Sequence, residues 1–451
     1  MITSHPDRHA FGERLNQLVS PAQPIQTIEH LYGRAKELDL IEKALFAPGR
    51  HVFIYGDRGV GKSSLAATAA HQYQSADAGY IDVGCGPDAT LPSVIANVAL
   101  QALDESRVKS RKDSQKGGIS WRFLSVERST EEVSRDLHAE VSTVLDAVEV
   151  LREVAALHSE KPIVVVDEFD RIEHPETRHA FADLIKHLGD KKINIKFIFT
   201  GVASSLTDLL GAHASAIRQL ATIDLPRLSW DGRWDIVLGA AGAFGVDVPR
   251  DIYVRIAAVS DGFPYYVHLI TEKVLWRAWE DPQPVTTITW EHYRDGLKDA
   301  IESINAELRR PYELAVTQRS DDYEEVLWST ADGEYLQRFL YDMYASYEHI
   351  IKQCEGREKL PFDRYRARIR ALKETRNGAI LVNDPSKAGL YRYRETMLRG
   401  YVRMQAEATG IELVGNKDPT VGRHQVHVPT NARRGYRGPQ VPRGVKFTPK
   451  S

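Results

Sequence analysis

The sequence predicts an α/β core built on a parallel sheet, followed by a helical module and then a smaller mixed one. Three observations lead there. From Leu31 to Leu225 short strand-like runs alternate with helical patterns, which argues for parallel strands with helices on both faces. Lys161–Val166 (KPIVVV) is a continuous β-branched run and Ile193–Thr200 (INIKFIFT) a second apolar one, as expected of strands buried on both faces. After Pro226 the strand patterns give way to helical ones through residue 310.

Taken in order, residues 1–27 are polar and Pro-containing and read as a loose lead-in. His51–Tyr55 (HVFIY) is a strand that runs straight into Gly56, and Ser63–Gln72 is the helix that follows. Gly79–Val83 is the second strand and Leu91–Leu103 an amphipathic helix. Residues 106–132 break the pattern with Arg107, Lys109, Arg111, Lys112 and Lys116 ahead of Gly117-Gly118, so they read as an exposed insertion. Thr177–Leu188 and Leu209–Leu220 are helices on either side of the fourth strand, and Ala221–Leu225 is the last strand. The expected units are the core at 28–228, a helical unit at 229–310, a mixed unit at 311–410 and a tail at 411–451. From Val414 that tail carries eight Lys and Arg against Asp418 alone, a net charge of +7. With its Gly and Pro it has the composition of a disordered segment.

Composition sets the outer limits. The 451 residues are 42% hydrophobic and 27% charged, ordinary globular usage. Lys and Arg number 59 against 62 Asp and Glu, a net charge of −3. A histone-like polycation is excluded, while a local basic face is not. Only two cysteines occur, Cys85 and Cys354, which excludes a disulfide scaffold and a Cys-based zinc site and suits a reducing compartment. The 16 histidines form no ligand set on one predicted element, and His424 and His427 fall in the tail. No run reaches the roughly 18 apolar residues of a membrane span, and Met1–Asp7 lacks a signal-peptide pattern. No membrane association and a cytoplasmic location are therefore expected.

The chemistry is concentrated in Gly56-Asp57-Arg58-Gly59-Val60-Gly61-Lys62-Ser63, a full G-x-x-x-x-G-K-[ST] match between a strand and a helix. The glycines let backbone N–H groups turn toward phosphate oxygens, and the helix N-terminus, with Ser64 on its first turn, adds positive dipole. Lys62 is placed to reach the β- and γ-phosphates and the Ser63 hydroxyl to ligate Mg²⁺. Asp167 and Glu168 end the Lys161–Val166 strand, at the carboxyl edge of the sheet. Asp167 is expected to join Ser63 in holding the metal, and Glu168 to orient or deprotonate the attacking water. Thr200, at the tip of the next strand, either meets the γ-phosphate or the water or caps the helix after it.

This order of motifs resembles the AAA+ ATPases, P-loop NTPases with a parallel-sheet core. Leu31-Tyr32-Gly33-Arg34 resembles the segment that covers the adenine there, which implies nucleotide contacts for Tyr32 and Arg34. Asp167-Glu168-Phe169-Asp170 resembles the acidic motif of origin-recognition-complex-like initiators and of STAND signalling ATPases. Ser215-Ala216-Ile217-Arg218 is similar to the position of the arginine finger, so Arg218 either completes a neighbour's site or is a surface arginine. Asp261-Gly262-Phe263-Pro264-Tyr265 resembles the lid motif, which implies that Pro264 and Tyr265 pack near the nucleotide. The resemblance covers about residues 28–405. It implies ATP or ADP with Mg²⁺ as ligands, a helical lid at 229–310 and a winged-helix domain at 311–410.

Pro361–Leu372 reads as a helix with Arg364, Arg366, Arg368 and Arg370, and Tyr335–Leu340 as the start of an earlier helix. Ile380–Val382 and Leu390–Tyr393 can pair as a hairpin. Arg364 and Arg368 on one helix face, with Lys387 and Arg392 on the wing, are candidates for double-stranded DNA phosphates. The opposing reading is a solvated or protein-contacting domain. The sequence thus predicts an Mg-dependent ATPase that couples nucleotide state to oligomerisation and to DNA or a partner protein; nuclease, protease and Toll-like motifs are absent, so any effector is expected to be a separate protein. The alternative is a STAND-like switch triggered by a protein or ligand without DNA.

Overall fold

The computed structural model describes residues 7–21, 24–25, 27–76, 78–112, 141–212, 216–316, 322–385 and 387–413. Most of the expected 106–132 insertion, the tail from Val414, and His424 and His427 lie outside them.

The core is a five-stranded parallel sheet: β1 His51–Tyr55, β2 Ile81–Gly84, β3 Ile163–Asp167, β4 Lys196–Gly201 and β5 Leu220–Asp224. Its strand order is β2-β3-β4-β1-β5. β1 pairs with both β4 and β5, and β3 lies between β2 and β4. Alternate side chains enter separate cores, as the pleat requires. Val52, Ile54, Ile163 and Val165 join one apolar cluster, and Phe53, Val164, Val166, Phe197 and Phe199 the other.

The helices before and around this sheet are α1 Arg8–Leu18, α2 Ala35–Phe46, α3 Lys62–Tyr73, α4 Leu91–Lys112, α5 Val144–Leu157, α6 Pro175–Asp190, α7 Ala203–Ala212 and α8 Ala216–Gln219. α2 and α3 supply Leu38, Ile41, Leu65 and Ala66 to the first cluster, while α4, α5 and α6 supply Ile95, Leu151 and Phe181 to the second. α5 starts at a capping box between Thr143 and Asp146, a signal the sequence reading passed over. The helix expected over Leu209–Leu220 is instead α7 and the short α8, with β5 beginning at Leu220.

The lead-in is not loose. Asp7 caps α1 by accepting from the Ala10 amide at 3.1 Å, and Phe11 and Leu15 are fully buried. Phe11 packs on Phe244, Trp276 and Trp279 with ring centroids 5.0, 4.8 and 5.4 Å away. Only three of eleven positions on α1 are buried, so the helix looked polar.

The helical unit comprises α9 Trp230–Ala243, α10 Arg250–Val259, α11 Pro264–Glu280, α12 Trp290–Ser303 and α13 Ala306–Val316. Then follow α14 Tyr323–Ala331, β6 Arg338–Phe339, α15 Leu340–Ile351, α16 Phe362–Ala371, β7 Leu381–Asn383, β8 Leu390–Tyr393 and α17 Met397–Ala408. β6, β8 and β7 form an antiparallel sheet in that order. The segment expected to open a helix at Tyr335–Leu340 contains β6, and its helix starts at Leu340. Phe339 is extended, which sets its register with Leu390 in the sheet.

Asp261 ties these units together. Its carboxylate accepts from Arg399 at 2.7 Å and from Arg227 at 2.7 Å, and lies 3.4 Å from Arg403. Arg399 is fully buried and Arg403 nearly so. Arg403 also donates to the carbonyls of Ala331 and Ala258. Burial favours a neutral Asp261, but Arg399, Arg403 and Arg227 outweigh it and hold the carboxyl below its ordinary range. Among the described residues no helix is long and apolar enough to cross a membrane.

Candidate functional site

The carboxyl ends of β1, β3 and β4 bring the predicted residues together, beside the strand around which the sheet order reverses. Gly59 and Gly61 have φ of +78° and +94°, the left-handed region that favours glycine. Gly61 is the N-cap of α3, so the helix dipole opens directly onto the loop. Val60 is buried beneath it. The Lys62 ammonium donates to the carbonyls of Gly56 at 3.0 Å and Asp57 at 2.8 Å. Burial lowers the pKa of Lys62, with Asp170, Asp167, Asp57 and Glu395 opposing that shift.

The acidic strand tip meets this loop. The Ser63 hydroxyl donates to Asp167 Oδ1 at 3.1 Å. Thr200 donates to the same carboxylate oxygen and accepts from the Glu168 amide at 3.1 Å. Thr200 is thus turned toward Asp167, and its hydroxyl joins two strand tips. Glu168 has φ +55° and its carboxylate accepts from Arg171 at 2.8 Å. A hydroxyl and a carboxylate at this spacing, beside a cationic ammonium, fit a hydrated Mg²⁺ and an anionic phosphate chain.

These groups border a cavity of about 970 Å³, which also takes in Arg58, Gly59, Ser64, Tyr32, Arg34, Pro264 and Tyr265. An open polar rim of this kind over an apolar wall has the dimensions of a small-ligand site. The apolar part includes Ile25, Leu31, Leu228, Ile236 and Leu308. Pro264 lies close to the loop: a β-carbon placed at Gly61 would be 3.8 Å from its ring.

Not every predicted residue points at ligand space. Arg34 is buried and donates to the carbonyls of Val60 at 2.9 Å and Pro226 at 2.8 Å, so its guanidinium braces the loop from behind. Arg58 is exposed, 3.9 Å from Glu307 of α13. Arg218 is exposed on α8 and is not among the cavity residues. Of the DNA candidates, Arg364 is exposed. Arg368 bonds Asp322 at 3.0 Å and covers the Tyr323 ring. Lys387 lies over Phe339, and Arg392 is 3.9 Å from Asp384.

Sequence reasoning missed five contributors. The Ile25 amide donates to Ser64 Oγ at 3.1 Å, and Thr68 donates to the Ile25 carbonyl at 2.9 Å. Nothing local in residues 20–27 announces that stitch. His268 borders the cavity four residues after Pro264, and the i,i+4 spacing on one helix face was a readable signal. Glu395 and Met397, from the far end of the chain, border it too. A β-carbon at Gly59 would come 2.5 Å from the Met397 sulfur. Cys85 follows β2, and burial followed by Asp167 and Glu168 pushes its thiol up to about 12, which leaves it unreactive. Among the described residues no cluster of His, Cys, Asp and Glu could hold a metal by itself.

Residues 30–198 match the AAA ATPase domain. No curated protein matches the chain. Among solved structures it is similar to the Walker-type ATPase paby2304 of Pyrococcus abyssi at 18% identity and a TM-score of 0.48, over 85% of this chain and 99% of that one. It is also similar to the ORC2 protein of Aeropyrum pernix in ADPNP–ADP complexes, at 13% identity and 0.47, over 87% and 98%. Cdc6p from Pyrobaculum aerophilum gives 16% and 0.43, over 87% and 98%.

Proposed function

We propose that the chain is a P-loop ATPase of the AAA+ type, on the match of residues 30–198 to the AAA ATPase domain, and that its residues divide the work as follows. The carrying observation is the Ser63–Asp167 hydrogen bond, 3.1 Å long across 104 positions of sequence. Bound Mg²⁺ would neutralise phosphate charge as the terminal phosphoryl group is transferred to water. Ser63 and Asp167 would hold that ion. Lys62 gives up its carbonyl contacts for phosphate oxygens, and the loop amides cradle the remaining charge. Glu168 takes the proton of the attacking water, with Thr200 fixing its backbone amide. Tyr32, Pro264 and Tyr265 flank the nucleoside.

We further propose that nucleotide state governs assembly with other copies and with DNA or a protein partner. Arg218, exposed on its short helix, would serve a neighbouring copy. The three helices α14, α15 and α16 with the β6-β8-β7 sheet are what a winged helix would provide. Arg364 and its neighbours on α16 would then meet phosphates.

A second reading has its own support. Arg368, Lys387 and Arg392 are engaged within the chain, while Glu395 and Met397 of the C-terminal unit border the nucleotide cavity. That arrangement favours a switch in which nucleotide exchange releases the C-terminal unit toward a protein partner. One experiment separates the two: ATP turnover with and without duplex DNA, with particle mass by light scattering in ADP and in ATP. DNA-stimulated turnover that fades with salt supports the first reading. A mass change that ignores DNA supports the second, and absence of turnover in every condition overturns both.

A further inference from the structure

We propose that Tyr341 and the arginine stripe beside it on α16 bind an unpaired stretch of nucleic acid, the tyrosine stacking on a base while Arg366 and Arg370 take phosphates. None of these residues borders the nucleotide cavity, so the inference does not rest on the ATPase reading. It also differs from backbone contact with a duplex, because it assigns the site a base.

Tyr341 is 74% exposed on the first turn of α15. A side chain so exposed ordinarily changes rotamer freely. Here one face of the ring lies flat on Phe362, with centroids 4.9 Å apart and planes 9° from parallel. Phe362 is held edge-on by Tyr344 at 5.1 Å. Tyr344 is held in turn by the ring of Tyr365 at 5.1 Å and by its hydroxyl, which donates to the Leu360 carbonyl at 2.9 Å. Tyr365 is fully buried. The rings therefore run from the core out to solvent and end in a flat face of fixed orientation. A base continues such a stack without regard to sequence.

The charge beside it completes the site. Phe362, Arg366 and Arg370 recur every fourth residue and share one side of α16, the two arginines about 6 Å apart along the axis. Both are exposed, and neither has an ion-pair or hydrogen-bond partner among the described residues. Arg368, by contrast, is engaged by Asp322. Lys373 extends the stripe to the small sheet, where it donates to Asn383 at 3.1 Å and lies over the Tyr391 ring.

The occupant follows from this division. Asp342 and Asp363 are exposed next to the aromatic pair in sequence and repel a phosphate there, so the base belongs at Tyr341 and the phosphates one and two turns along α16. Two unpaired arginines disfavour a cationic peptide. A duplex keeps its base faces stacked inside and presents none to Tyr341. An unpaired strand supplies a free base face and a row of phosphates together. Arg364 is two residues from Phe362 and points to another side of the helix, so duplex contact through Arg364 is a separable event.

The test is equilibrium binding of the full chain, without nucleotide, to oligodeoxythymidine, oligouridine, an abasic deoxyribose strand and a duplex, all of equal length. Wild-type protein is expected to bind a base-bearing strand roughly fivefold or more tightly than the abasic one, the contribution of one stacked base. Either oligodeoxythymidine or oligouridine exceeding the abasic strand supports the proposal, and the tighter of the two identifies the polymer as DNA or RNA. Tyr341→Ala should erase the preference, and Tyr341→Phe, which offers the same face, should keep it. Arg366→Ala/Arg370→Ala should weaken base-bearing and abasic strands by a common factor and flatten the salt dependence. Equal affinity of wild-type protein for base-bearing and abasic strands overturns the proposal, and that comparison needs no variant. A preference that survives in Tyr341→Ala overturns it too, as does a duplex bound as tightly as the strands.

Discussion

The sulfur of Met397 sits against Gly59, so the last helix of the described chain touches the phosphate loop. Gly59 combines a φ of +78° with this neighbour, and two costs meet there. Gly59→Ala should lose about 1–2 kcal/mol from the left-handed backbone alone, plus the displacement of Met397. In Gly59→Ala/Met397→Ala the second cost is relieved. Denaturant unfolding of the four members of the cycle should show a favourable coupling of at least about 0.5 kcal/mol; strict additivity would mean that the two residues do not meet.

Lys62→Ala should abolish nucleotide binding, because the only ammonium placed within the loop is removed. Glu168→Gln should bind ATP normally and hydrolyse it at least about tenfold more slowly. Titration calorimetry and single-turnover kinetics check both. Near-normal turnover in Glu168→Gln removes that carboxylate from the mechanism.

Thr200→Val tests the bridge between strand tips. It deletes a hydroxyl that serves both Asp167 and the Glu168 amide, while Asp167 keeps the Ser63 bond. Turnover is expected to fall about tenfold or more, with ATP affinity within a factor of three and a stability loss of about 1–3 kcal/mol. An equal fall in affinity and turnover would place Thr200 on the ligand instead.

Asp261→Asn leaves Arg399 and Arg403 buried without their counter-charge, a change expected to cost about 3–5 kcal/mol at neutral pH. The pH dependence has a definite sign. The folded-state pKa of Asp261 is depressed, so its contribution is fully present above the unfolded-state pKa and is lost as pH falls through the lower folded value. Unfolding midpoints of wild type and Asp261→Asn should therefore converge in acid below the ordinary carboxylate range. A gap that stays constant with pH refutes this account of the hub.

The core and its phosphate site were legible because local pattern and chemistry coincide there. β-branched runs gave the buried strands, and Gly56–Ser63 fixes a backbone shape by residue type alone. The lid proline and tyrosine also reached the cavity. What escaped was set by tertiary packing. Asp261 lies in a motif read for its proline, yet its partners Arg399 and Arg403 are some 140 residues away in sequence. The arginines of α16 could be counted in advance, but the pairing of Arg368 with Asp322 could not. α1 hid because its single apolar stripe needed the indoles of α11 to give it meaning.

The Ile25 stitch has a practical consequence for dissecting this molecule. A fragment begun at residue 30, where the family match starts, would lack part of the wall of its own ligand chamber. It would also bare the indole faces of Trp276 and Trp279 that Phe11 normally shields. Such a piece invites clumping and feeble ligand affinity, and either defect would be misread as a property of the whole enzyme. The natural unit for recombinant work therefore begins upstream of α1.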